Sequence, residues 1–160
     1  MVQFDRQWLM LEGYVFPPFQ ARIEHERIAG YVGFSHGWEE VATGLRAAED
    51  VGAVLPTLPF SLEMDAGVVE AIADLLNVPA RHLLHAGQSF EYHTELRAGE
   101  LVTVESQLTR VSWQPQKQVC FFFKETHFLV GDHPAVTSLS TYAIRARQQK
   151  RPFPEQRHHE

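Results

Sequence analysis

Val119-Cys-Phe-Phe-Phe-Lys-Glu-Thr-His-Phe-Leu-Val130 decides how the rest of the chain is read. It is a long run without glycine or proline, opening on Val119–Phe123, and it predicts a β-strand. Phe121, Phe122 and Phe123 cannot all face one way, because successive side chains of a strand point to opposite sides. Two lie on one face and one on the other, so both faces need cover. Turn signals bracket the run: Gln114-Pro-Gln-Lys117 before it, Gly131-Asp-His-Pro134 after it. Beyond these turns lie two more long strands. Leu101–Val111 is one; Val136–Arg145 is the other, with Val136, Ser138, Ser140, Tyr142 and Ile144 on one side. Further upstream Phe90, Tyr92 and Thr94 alternate with Glu91, His93 and Glu95, and Arg97-Ala-Gly-Glu100 forms a turn. Strand–turn–strand units with short connections predict an antiparallel meander, closed by Val136–Arg145.

The front half leans helical. Phe19, Ala21 and Ile23 alternate as a short strand, and Glu24–Val32 has helical spacing with acids at its start. Phe34–Gly52 shows no clear period. Pro56 and Pro59 fix the chain's entry into a helix whose buried start is Phe60–Met64, since proline suits a first helical turn. Val68, Val69, Ile72, Leu75 and Leu76 form an apolar stripe opposite Glu70 and Asp74, and Asn77-Val-Pro79 ends it. Helices followed by a meander give the α+β class.

The chain has 160 residues and a net charge of −6. That suits one domain, 1–146, with a polar, poorly ordered tail over 147–160. The acidic balance argues against nucleic acid or an anionic membrane as a general partner. Glu24–Glu70 holds nine acids and two bases, which reads as a solvated face. A single cysteine, Cys120, excludes an internal disulfide and a cysteine-built metal site. Its setting in Val119–Phe123 makes it a small buried hydrophobe. No run of 18 apolar residues is present, and Met1–Glu12 lacks a signal-peptide pattern; the expected location is the cytoplasm.

His85-Ala-Gly-Gln-Ser-Phe-Glu-Tyr-His93, followed by Leu96-Arg-Ala-Gly-Glu-Leu-Val-Thr-Val104, resembles the N-terminal, dehydratase-like half of the MaoC superfamily of hydroxyacyl-thioester dehydratases. Pro56-Thr57-Leu58-Pro59-Phe60 resembles that family's Pro-Pro-Thr-Phe element. Ala86-Gly87 departs from the usual order, and Glu100 stands where the family has Asp. The resemblance runs from about Pro18 to Arg145. It implies a hot-dog fold, an antiparallel sheet wrapped around a central helix. It also implies a homodimer, or a heterodimer with a related subunit, joined sheet edge to sheet edge. The implied ligand is an acyl-CoA or acyl-carrier-protein thioester of fatty acid metabolism, bound in a tunnel at that junction without a further cofactor. The implied chemistry is (R)-specific hydration of an enoyl thioester or dehydration of a 3-hydroxyacyl thioester.

Such chemistry needs a general base for water and donors at the thioester oxygen. Active halves of the superfamily carry Asp-x-x-Asn-x-x-His. This chain has none; the corresponding Gly33–Glu40 stretch offers only His36. A partner-dependent or substrate-binding subunit is therefore expected. His36 and His85 are the candidate catalytic residues, the competing reading being a loop histidine and a structural hydrogen bond respectively. Pro56, Thr57, Phe60, Met64 and Gly87 are the candidate substrate-binding residues; Leu58–Met64 reads equally as plain core. Glu63 or Asp65 could serve a hot-dog thioesterase as hydrolytic base, against a helix-end charge or a salt-bridge partner. A non-enzymatic acyl-thioester-binding dimer is the remaining alternative. His93 with Glu91 and Glu95, and His127 with Glu125, read as solvated rows rather than metal sites. His158 and His159 read as solvated, and no metal is expected.

Overall fold

The computed structural model describes residues 2–26 and 57–147. His36, Pro56, most of the Glu24–Val32 segment, the Gly33–Glu40 stretch and His158–His159 lie outside them. The elements run β1 (Val2–Gln3), a 3-10 helix (Arg6–Leu11), β2 (Phe19–Arg22), α1 (Leu58–Asp65), α2 (Val68–Leu75), a 3-10 turn (Ala80–His82), β3 (Leu83–Tyr92), β4 (Leu101–Gln114), β5 (Val119–Val130) and β6 (His133–Arg147). The order β1-β6-β5-β4-β2 makes one sheet, and β3 also pairs with β6. Among the described strands only the short β1–β6 pairing is parallel.

The expected α+β class holds, and the meander is real over β4, β5 and β6. One pairing differs. Val136–Arg145 does not close the sheet; β6 lies inside it, with β5 on one side and β3 on the other. The Arg97–Glu100 turn therefore makes no β3–β4 hairpin. Leu96 is buried, Gly99 N–H donates to Ile23 O, and Ile23 N–H donates to Glu100 O, so that turn docks on the end of β2. This docking carries the chain to the far side of the sheet before β4 begins.

Two short helices cover one face. Pro59 stands in the first turn of α1, and Gly67, at φ 72°, breaks the chain between α1 and α2. A left-handed backbone costs glycine little. Beyond α2 and its cap residue Leu76, Asn77 takes another positive φ, with Pro79 two residues further on. Strand alternation matches the cover. Cys120, Phe122, Lys124, Thr126 and Phe128 are buried along β5, whereas Phe121 and Phe123 are half-buried on the opposite face. Arg110 lies over the Phe123 ring, 5.3 Å from its centroid, and covers part of that face.

The core falls into two apolar clusters. One gathers Trp8, Ile72, Leu76, Leu108, Phe122, Tyr142 and Ile144 beneath α2. Trp8 Nε1 donates to Leu76 O at 3.1 Å and so ties the N-terminal segment to the end of that helix. The other gathers Ile23, Leu58, Leu62, Val104, Phe128 and Val136 beneath α1. Between them a polar row crosses the sheet: Ser106 on β4, Lys124 and Thr126 on β5, Ser138 and Ser140 on β6, all buried.

Cys120 is fully buried, and burial pushes its thiol up to about 12 from 9.0. A raised folded value means a contribution to stability that is complete below 9.0 and lost as pH climbs toward 12, because the unfolded thiol ionises first. Ellman's reagent at pH 8 should therefore leave the native protein unmodified and react with one thiol in denaturing urea. Urea midpoints should fall above pH 9.

Candidate functional site

The polar row is built from both layers. α1 turns Leu58, Pro59, Leu62 and Glu63 toward the sheet. Glu63 meets Lys124 in a buried ion pair, and Lys124 Nζ also donates to Thr126 Oγ1. Thr126 Oγ1 in turn donates to Glu63 Oε1 at 2.8 Å. Burial lowers the Lys124 ammonium below its usual range, and the Glu63 charge pulls the other way. Glu63 Oε2 and the Tyr142 hydroxyl are buried and take no hydrogen bond among the described residues. Burial raises the Tyr142 phenol and the Glu63 charge adds to it; Ser140, near but outside hydrogen-bond geometry, acts weakly in the opposite sense.

The row continues onto β3. Gln88 Nε2 donates to Ser138 Oγ, Ser140 Oγ donates to Gln88 Oε1 at 2.8 Å, and His85 Nε2 lies 3.0 Å from the same Oε1. The His85 ring stacks on Phe60 of α1, with centroids 4.6 Å apart and planes 10° apart, and tilts against Tyr142 at 5.4 Å. His85 is nonetheless exposed, since β3 pairs only with β6 among the described strands. Leu84 and Tyr92 are exposed on the same strand.

The sequence-derived candidates are distributed as follows. His85 and Phe60 are in contact. Thr57 stands at the N-cap position of α1 without a side-chain capping bond and is exposed; Met64 is 44% exposed. Helical spacing separates Leu58–Met64: Leu58 and Leu62 are core, Phe60 is half-buried, and Met64 faces outward. Gly87 has no need of glycine for space, because a Cβ there would meet Thr141 at an ordinary 3.8 Å. Glu63 is a salt-bridge partner, and Asp65 is exposed at the helix end. His93 Nε2 bonds Thr137 Oγ1 at 2.9 Å and His127 Nε2 bonds Glu125 Oε1 at 3.0 Å, on the sheet's other face. No group of metal-ligating side chains occurs among the described residues. A pocket of about 230 Å³ lined by Val15, Glu105, Ser106, Gln107 and His127 includes none of the His85 group. Lys124 and Thr126 were not singled out by sequence, although both share the phase of Cys120, Phe122 and Phe128.

The sequence model described as FAS1-like, dehydratase domain region matches residues 11–137. The chain belongs to this family. The match spans β2 through the first part of β6; it includes Phe60, His85 and Gln88 and ends just before Ser138, Ser140 and Tyr142. A curated relative of this FAS1-like dehydratase-region chain, a UPF0336 protein of Thermobifida fusca (strain YX), is 31% identical over 91 residues. That stretch covers 56% of the chain and 59% of the relative's length. Among solved structures, the C-terminally truncated HadBC (3R-hydroxyacyl-ACP dehydratase) complex of Mycobacterium tuberculosis superposes with a TM-score of 0.59 at 14% identity, covering 83% of this chain and 96% of that one. The MaoC-like dehydratase from Rhodospirillum rubrum gives 0.57 at 15% identity, covering 85% and 93%. The fold of this FAS1-like dehydratase-region protein is thus the hot-dog fold of MaoC-like dehydratases.

Proposed function

We propose that the protein is a subunit of an (R)-specific enoyl/3-hydroxyacyl thioester hydratase-dehydratase that depends on a related hot-dog partner for its catalytic base. Family membership supports the reaction class. The observation that carries the rest is the placement of His85 and Phe60 side by side at the β3 edge, which pairs with no other strand among the described residues. An open strand edge with exposed Leu84 and Tyr92 invites a second strand. A second hot-dog chain paired there would enclose the His85–Phe60 contact and supply the Asp-x-x-Asn-x-x-His motif that this chain lacks. The ligand is an acyl-CoA or acyl-carrier-protein thioester, since the pantetheine arm reaches a site at such a junction from outside.

The test is purified protein with crotonyl-CoA, alone and with a motif-bearing hot-dog subunit. Loss of enoyl absorbance only in the mixture supports the reading. Release of free thiol would establish a thioesterase instead; binding without turnover in either case would leave an acyl-thioester-binding protein.

Truncations separate lining from packing. Leu62→Ala removes a fully packed side chain and should cost about 2–5 kcal/mol in urea unfolding. Met64→Ala, at an exposed position, should cost about 0.5 kcal/mol or less. A change of acyl-chain preference with Met64→Ala, measured over a series of enoyl-CoA lengths in the mixture, would assign Met64 to the ligand.

A further inference from the structure

His85 and Gln88 are three residues apart, a separation that places side chains on opposite faces of a regular strand. Here they share a face. The register passes from His85↔Tyr142 to Gly87↔Thr141, so Ala86 is an extra residue in β3. Such a bulge re-aims the side chains on either side of it. The result is that His85 joins Gln88 on the helix-covered side, in phase with Tyr142 and Ser140.

The side chain of Gln88 is anchored from the core. Ser138 and Ser140 are 0% and 1% exposed. Nε2 is held by Ser138 and Oε1 by Ser140, which leaves Oε1 turned to His85. A carbonyl oxygen only accepts, so with the amide in this orientation the His85 nitrogen facing it, Nε2, carries a hydrogen; the serine hydroxyls, which donate and accept alike, fit either orientation. A neutral imidazole has one N–H, and Nδ1 is then an acceptor. Nδ1 has no hydrogen bond among the described residues. The ring cannot turn freely, because Phe60 is stacked on it and Tyr142 leans against it.

We infer that Gln88 is a positioning residue: it holds His85 as the Nε2-protonated imidazole and presents Nδ1, at the open edge of β3, to a hydrogen-bond donor of the ligand. On the proposed function that donor belongs to an acyl thioester, either the 3-hydroxyl of a hydroxyacyl group or an amide N–H of the pantetheine arm. The tautomer does not depend on that reading; the ligand does.

Two measurements test the two halves separately. The first is the ring ¹⁵N spectrum of His85 in the whole protein at a pH where the ring is neutral. The expected result is a protonated Nε2, an unprotonated Nδ1 and a slowly exchanging Nε2–H. That resonance should be lost in Gln88→Leu and kept in Gln88→Glu, which retains an acceptor oxygen. A protonated Nδ1, or a spectrum indifferent to Gln88→Leu, overturns the positioning role. Ser138→Ala loosens the Gln88 amide without touching β3 and should speed exchange of the same proton, which keeps the test open if Gln88→Leu folds poorly. The second measurement is calorimetric binding of 3-hydroxybutyryl-CoA, crotonyl-CoA and free CoA, with the motif-bearing partner present. Gln88→Leu should weaken binding about tenfold, the scale of one well-placed hydrogen bond, and Gln88→Glu should restore most of it. A loss confined to 3-hydroxybutyryl-CoA identifies the hydroxyl as donor; an equal loss for all three identifies the pantetheine amide. Unchanged binding of all three overturns the ligand half. If none of the three binds to wild type, the thioester reading itself falls while the spectrum still decides the role of Gln88.

Discussion

Lys124→Met should lower the free energy of unfolding by about 3–5 kcal/mol, the usual consequence of leaving a buried charge without its partner. Lys124 and Glu63 are 0% and 1% exposed, with Thr126 the only other donor on Glu63 Oε1 among the described residues. Removing the ammonium leaves a carboxylate in the core with one hydroxyl partner among the described residues. For a domain whose total stability is of the order of 5–15 kcal/mol, that loss is a large fraction. The double replacement Lys124→Met with Glu63→Leu should recover most of it, because the pair's mutual attraction is set against a heavy desolvation penalty that apolar side chains avoid. Urea denaturation of wild type, both single variants and the double variant gives the coupling directly. A double variant as unstable as Lys124→Met would mean that the ion pair is worth more than apolar packing at this point. The pair would then be a net stabilising element of the fold, and not a polar feature kept at some cost to stability.

Turnover should differ more sharply still. General acid–base catalysis is typically worth ~10²–10⁴-fold. Without Asp-x-x-Asn-x-x-His, the isolated protein should hydrate crotonyl-CoA slower than the motif-bearing mixture by about that range. The comparison requires equal concentrations of sites and a preparation free of host hydratase. Rapid hydration by the isolated chain would show that another base is present. His36→Ala and His85→Ala would then locate it, and retention of the rate in both would move the search to Asp65 or Glu63. Slow turnover alone and rapid turnover in the mixture, with sedimentation showing one partner per chain, would place the reaction at the shared edge.

Strands and helices were legible because their periods are local. The β5 boundaries and the α2 stripe follow from alternation and helical spacing within a few residues. The path of β3 was not, since its pairing with β6 rests on the docking of Leu96 and Gly99 against the end of β2, far away in sequence. Lys124 illustrates another limit. Alternation that puts Phe122 and Phe128 inside puts Lys124 inside too, yet a charge is ordinarily assigned to solvent unless its partner is known. That partner, Glu63, lies 61 residues away on another element. At the site, His85 stood out as a residue type, and the Gln88 beside it belonged to the recognised motif. Their shared orientation did not stand out, because a bulge at Ala86 reverses the phase that the spacing alone suggests.

The central position of β6 also bears on how the protein is made. It is the last of the described strands to be synthesised, and among the described residues it is the one partner of β3 and of β1 and the second partner of β5. A nascent chain that has released β5 can pair it with β4 alone, so Phe122 and Phe128 still lack Tyr142 and Val136 beside them, and β3 has no strand to join. At translation speeds of about 5–20 residues per second, those apolar strands wait for about one to three seconds between the end of β5 and the end of β6. Contacts between residues so far apart in sequence also form slowly. Protection during synthesis therefore falls to whatever shields a growing chain, and β6 is where a stalled or shortened product would have lost the strand that unites its sheet.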